Sequence, residues 1–141
     1  LLAFGLAGCP GLDAPLAGFT RGEPWLPIPQ EHQASAVAVQ EHGPHSVLNA
    51  FRQFLAWRRT MPTLQLGDIR FLDTAEPVLM FERVHAGETL LLAFNLSAEA
   101  AQVALPEGQW HALHVPGPDA GQADGGLLQL PAHAMYCARR A

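Results

Sequence analysis

The period of the apolar residues changes once along this chain, at Pro62, and that change limits the fold more than any other feature. Before it, Val47, Leu48, Phe51, Phe54, Leu55 and Trp57 recur at helical spacing, with Arg52, Gln53 and Arg59 on the other side. Ser46 suits the N-cap, where its hydroxyl accepts from an early backbone N–H. Arg58 and Arg59 fall in the last turn, where the helix dipole favours cations, and Pro62 is expected to stop the helix. After Pro62 the period becomes two. Strands are expected near 64–66, 69–72, 78–84, 89–96, 102–105, 110–115, 127–130 and 134–139. Ala86-Gly87, Pro106-Glu107-Gly108 and Pro131-Ala132-His133 supply turn residues between them.

Leu90-Leu91-Leu92-Ala93-Phe94 is apolar on both faces, so its strand should be central, with 78–84 beside it. Residues 116–126, rich in Gly and acidic, read as an exposed loop. Many short strands at regular spacing mean a sandwich or barrel. The expected fold class is mainly β: an antiparallel Greek-key β-sandwich of about eight strands, preceded by an irregular segment and one α-helix. The expected division is 1–62 for the segment and helix, and 63–141 for the sandwich.

Residues 10–45 hold Pro10, Pro15, Pro24, Pro27, Pro29 and Pro44, which break helices and spoil sheet ladders. An irregular run of that length needs a surface to pack on. Trp25, Leu26 and Ile28 look like its anchors, and Val37 with Val39 like a short extended piece. The net charge of −5 disfavours nucleic acid as a partner, because phosphate binding needs a basic face. All eight basic residues are Arg, which rules out a phosphate-loop or Schiff-base lysine. No apolar run reaches the roughly 20 residues that span a bilayer.

Cys9 and Cys137 are the two cysteines. A disulfide framework in a small secreted domain usually needs more, so a reducing, cytoplasmic setting is the default. Leu6-Ala7-Gly8-Cys9 matches a bacterial lipoprotein signal, which would make Cys9 an exported anchor. No basic n-region precedes it and the apolar stretch is short, which favours a chain that begins inside a longer protein.

Little in the chain points to chemistry of its own. Asp68, Asp73, Glu76 and Glu82 are expected in turns or at solvent-facing strand positions. His111 and His114 should point to opposite strand faces, a poor spacing for a shared metal. His32, His42 and His45 read as surface histidines. Ser35, Ser46 and Ser97 lack the glycines of a nucleophile elbow. No catalytic, cofactor or metal residue is therefore assigned. Trp25, Trp110 and Tyr136 are the aromatics that could stack on a sugar. The competing reading has Trp25 and Trp57 packing against a missing partner, and Trp110 plugging the sandwich.

Three blocks carry a resemblance. Pro44-His45-Ser46-Val47-Leu48-Asn49, then Phe51-Arg52, Leu55, Arg58-Arg59, Pro62, Leu64 and Gly67, resembles the last barrel helix of α-amylase-type glycoside hydrolases, above all α-glucosidases and oligo-1,6-glucosidases, with the turn that follows it. Ala17-Gly18-Phe19-Thr20-Arg21-Gly22-Glu23-Pro24-Trp25-Leu26-Pro27-Ile28 resembles the segment after their last barrel strand. Leu91-Leu92-Ala93-Phe94-Asn95-Leu96-Ser97 looks like their strand ending in Asn. The Cys-Arg-Thr-Pro-Met-x-Trp stretch of these enzymes has no match after Cys9, where Pro10-Gly11-Leu12-Asp13 follows instead.

The resemblance implies a C-terminal domain that stabilises a (β/α)8 barrel. The parent enzyme would cleave terminal α-glucosidic bonds of oligosaccharides with retention and without an organic cofactor. Its catalytic carboxylates would precede the segment that Ala17 begins, and a barrel of well over ~200 residues cannot fit in this chain. A free-standing carbohydrate-binding or lipoprotein sandwich is the alternative. Without its barrel, the apolar helix face should either fold back on the sandwich or mediate self-association.

Overall fold

A computed structural model describes Gly22, Glu23, Trp25 and residues 37–117 and 119–141. Cys9, His32, Ser35 and most of the 17–28 block lie outside the described residues. The described residues up to Arg52 form one compact unit, and those from Gln53 onward form another. No helix among them is long and apolar enough to cross a membrane.

In the first unit a short helix, α1 (Val37–His42), leads into α2 (Val47–Arg59), which continues into the second unit. The helix α1 replaces the extended piece expected at Val37 and Val39. A Val-x-Val pair is too short to separate the two periods, and the helix end is held by later residues. Ser46 caps α2 as expected, its Oγ accepting from the Asn49 N–H at 3.2 Å. The same hydroxyl donates to the Gln40 carbonyl at 2.6 Å. Asn49 Nδ2 donates to the carbonyls of Gln40, Glu41 and Gly43. Ser46 and Asn49 of the recognised block thus cap one helix and close the other.

The second unit is an antiparallel sandwich. Its larger sheet has the order β1 (Asp68–Leu72), β2 (Val78–His85), β3 (Glu88–Asn95), β8 (Met135–Arg140), β5 (Trp110–Ala112). The smaller has the order β4 (Ala101–Ala104), β7 (Leu127–Leu130), β6 (Gln122–Asp124). The chain changes sheet between β3 and β4, β4 and β5, β5 and β6, and β7 and β8. As its sequence required, β3 is central and buried on both faces. Leu91 and Ala93 join Val78, Met80, Leu128, Leu130, Tyr136 and Ala138 in the core between the sheets. Leu90 and Leu92 join Met135 and Cys137 in a second core on the outer face. Burial of each of these large side chains stabilises the fold by roughly 1.5–3 kcal/mol.

Ala86-Gly87 and Gly125-Gly126 close two-residue hairpins with positive φ throughout: 48° and 84° in the first, 56° and 84° in the second. These are primed turns, whose twist matches that of the flanking strands. The Gly125-Gly126 turn gives the expected 116–126 loop a strand, β6, whose residues are all exposed and which pairs with β7. In the opposite direction, 64–66 is not a strand. It belongs to a helical turn, α3 (Pro62–Leu66), because Pro62 occupies the first helical turn rather than ending the preceding helix. Strand β5 ends at Ala112, so His114 lies outside it.

The charged residues bring one correction. Glu82, expected to face solvent, is 2% exposed. The alternation that buries Val78 and Met80 carries Glu82 to the same inner face. Arg70, directly opposite on β1, meets its carboxylate at 2.6 Å, and Arg140 comes within 4.0 Å of the other oxygen. That second oxygen, Oε1, has no hydrogen-bond partner.

Candidate functional site

The outer face of the larger sheet is where the helices and the sandwich of the second unit meet. Phe54 and Trp57 of α2, then Met61 and Leu64, pack against Leu90, Leu92, Met135 and Cys137. Phe54 and Trp57 also touch each other, ring centroids 5.7 Å apart. The C-terminal half of α2 therefore lies back on the sandwich. The last carbonyls of α3 are gathered by arginines from both sides. Leu64 O accepts from Arg58 at 3.1 Å and from Arg83 at 3.4 Å. Thr63 O accepts from the Gly67 N–H at 3.1 Å and from Arg83 Nε at 3.4 Å. Cations at a helix C-terminus complement its dipole as well as its unpaired carbonyls. Thr63 Oγ1 donates to Glu88, which pairs in turn with Arg139 at 2.7 Å.

A second junction sits at the end of β3. Asn95 Nδ2 donates to the carbonyls of Glu99 (2.6 Å), Leu130 (3.2 Å) and Pro131 (2.9 Å). Its Oδ1 accepts from the Ser97 N–H and hydroxyl at 3.0 and 2.9 Å. One side chain thus ties the β3–β4 link to the β7–β8 link. In the sequence Asn95 stands out only as part of a pattern. Its position at the end of an apolar strand, two residues before Ser97, was the available signal.

Of the three aromatics proposed for sugar stacking, Trp110 and Tyr136 belong to the second unit and Trp25 to the first. Trp25 is 88% exposed and lies in the first unit. Trp110 packs against the inter-sheet core, donates from Nε1 to Pro106 O at 2.9 Å, and carries the Arg140 guanidinium 5.0 Å from its ring centroid. That cation occupies a face a sugar would need. Tyr136 is 4% exposed in the same core. It also lines a cleft of about 220 Å³ with Leu113, His114 and Gly121. This is smaller than the roughly 300–1,000 Å³ of ligand pockets. Among the described residues, no three His, Cys, Asp or Glu side chains are grouped to hold a metal ion.

Cys137 is a free, buried thiol in the helix-covered core. Burial pushes it from 9.0 up to about 12, a rise that Glu88 reinforces and Arg139 opposes. Only the thiolate attacks disulfide reagents, so native chain at pH 8 should leave Cys137 unlabelled while urea-unfolded chain reacts fully. Rapid labelling at Cys137 itself in the native chain, located by peptide mapping, would contradict this burial. The linkage to stability has a definite sign. The folded pKa is raised, so the contribution is complete below pH 9.0 and is lost as pH rises through about 12.

Comparison with known proteins gives a consistent set of likenesses. The sequence pattern described as "Domain of unknown function (DUF3459)" matches residues 66–136. A "Probable alpha-glucosidase" of Rhizobium meliloti (strain 1021) is 48% identical over 92 residues, 65% of this chain and 17% of the relative. A "Probable oligo-1,6-glucosidase 2" of Bacillus subtilis (strain 168) is 32% identical over 92 residues, 64% of this chain and 16% of the relative. The crystal structure of the alpha-glucosyl transfer enzyme XgtA superposes with a TM-score of 0.85 at 57% identity, over 92% of this chain and 24% of that one. The chain therefore spans a quarter or less of the length of these relatives.

Proposed function

Because the chain belongs to the DUF3459 family, the C-terminal domain of α-amylase-family enzymes, we propose that it is the non-catalytic stabilising domain of an α-glucosidase-like parent. Residues 1–62 are read as the end of the parent's (β/α)8 barrel and 63–141 as the sandwich that braces it. The observation that carries this reading is the seating of α2 and α3 on the outer face of the sheet. On this reading, the C-terminal half of the helix that would end the barrel packs into the outer core of the sandwich. The parent would open terminal α-glucosidic bonds of small oligosaccharides with retention, on carboxylates supplied by the barrel. Water would be the acceptor. The 57% identity to an α-glucosyl transfer enzyme favours, as a second reading, a sugar hydroxyl in its place. A free, buried Cys137 suits the reducing cytoplasm in which we place the parent.

The test is a chimera in which this chain replaces the matching quarter of XgtA. The chimera should regain the transfer activity and thermal stability that XgtA loses when that quarter is deleted. The chain alone should release no product from an aryl α-glucoside. Turnover by the chain alone, or a chimera no better than the deletion, would refute the reading. Calorimetric titration of the chain with malto-oligosaccharides addresses the sugar-binding alternative. Binding that disappears in Trp110→Ala and Trp25→Ala would favour that alternative.

A further inference from the structure

The outer face of the larger sheet is only half covered. The helices lie over β3, β8 and the part of β2 around Arg83 and Val84, with Leu90, Leu92, Met135 and Cys137 buried beneath them. Over β1 and the start of β2 the same face continues as apolar side chains in the open. Ile69 is 46% exposed, Phe71 64% and Leu79 38%. These belong to the face that carries the helices. Phe71 lies opposite Phe81 in the β1–β2 register, and Arg83, opposite Ile69, reaches the carbonyls of α3. An aromatic row connects the two halves. Phe71 meets Phe81 at 5.8 Å, and Phe81 meets Phe94 at 5.8 Å, with Phe81 and Phe94 already packed on the covered core. The row thus runs from a formed interface into solvent.

We infer that Ile69, Phe71 and Leu79 form the docking surface for an apolar patch on the barrel of the parent enzyme. This rests on the functional reading above. Two observations favour that occupant over a second copy of this chain. The exposed patch is continuous with the interface that α2 and α3 already make. The polypeptide before Gln53 is also covalently joined to this unit through α2, so a domain carried on it would meet the patch at high effective concentration. A second copy must reach the patch by diffusion.

The experiment uses the XgtA chimera and the isolated chain, each with and without the pair I69S and F71S. The pair should lower the melting temperature of the chimera by about 5 °C or more. The isolated chain should lose clearly less, because Ile69 is already 46% and Phe71 64% exposed in it. A second measurement does not depend on the stability of the pair. Cys introduced by F71C should react quickly with a thiol reagent in the isolated chain and be protected in the chimera. If the unsubstituted chimera is stable and active but neither the pair nor F71C distinguishes it from the isolated chain, the docking surface is overturned and the functional reading stands. If the unsubstituted chimera fails, both fall. Concentration-dependent dimerisation of the isolated chain, abolished by F71S while the chimera remains indifferent, would make a second copy the occupant and overturn the inference.

Discussion

Asn95→Ala is expected to lower the unfolding free energy of this chain by about 2–4 kcal/mol. The residue is 3% exposed, and its two amide hydrogens serve the carbonyls of Glu99, Leu130 and Pro131. Truncation removes the donors and leaves the Leu130 carbonyl, whose bond is buried, without a partner, while those of Glu99 and Pro131 lie at partly exposed positions. An unpaired buried polar group costs about 1–3 kcal/mol, well above the net gain from an average hydrogen bond. The Ser97 N–H and hydroxyl lose their acceptor as well.

Asn95→Asp makes a sharper test. A carboxylate has the shape of the amide but no donor, and it would face three carbonyl oxygens. Protonation restores one donor, so the folded state raises the pKa of the new carboxyl. Its stability is then complete below the unfolded value of about 3.9 and is lost as pH rises through the folded one. Urea unfolding midpoints at acidic and neutral pH, referred to the parent chain at each pH, read both effects. A loss below ~1 kcal/mol for Asn95→Ala would show that Asn95 does not tie the two links together.

Gly67→Ala is expected to cost about 2–3 kcal/mol. A Cβ there would stand 2.5 Å from Thr63 O and 3.0 Å from Val84 O, and both are backbone atoms. No side-chain rotation relieves that contact, so α3 must move off β2. The same movement loosens the Gly67 N–H bond to Thr63 O and the Arg83 contacts beside it. Gly43→Ala is the control. Its Cβ would meet nothing closer than 3.5 Å, so it should be near neutral. Thermal melts of the two variants side by side decide the matter. Equal effects would show that the close approach of α3 to β2 does not set the cost, since the entropy change of a Gly→Ala substitution by itself stabilises.

The recognised blocks acquire physical reasons from these positions. In the block 44–67, Ser46 and Asn49 close the α1–α2 corner and Arg58 collects the end of α3. Leu64 fills the outer core, and Gly67 lets the chain pass against Val84. In the block 91–97, alternate residues feed two cores and Asn95 locks the end. The pattern could be read as a likeness before any contact was known, because each of these residue types is hard to replace at its place. The proposed sugar contacts had no such support. Trp110 and Tyr136 are drawn into the inter-sheet core, and an aromatic residue in a strand carries no mark of which face it will take.

Alternation alone determined that β3 would be central, that β2 would lie beside it, and that the fold would be built of many short strands; its other neighbour, β8, came from the pairing. Ser46 alone determined where α2 begins. These are local rules, set by the direction of successive side chains and by the unpaired N–H groups of a helix start. The tertiary structure decided the rest. Segments 37–42 and 62–66 became helical because six or five residues cannot declare a period, and distant side chains took their free carbonyls. Glu82 is buried because Arg70 and Arg140 arrive from other strands to meet it. Covering only half of the outer face is likewise a matter of where α2 and α3 come to lie. A sequence states which side of a strand is apolar; what covers that side depends on residues brought there by the fold.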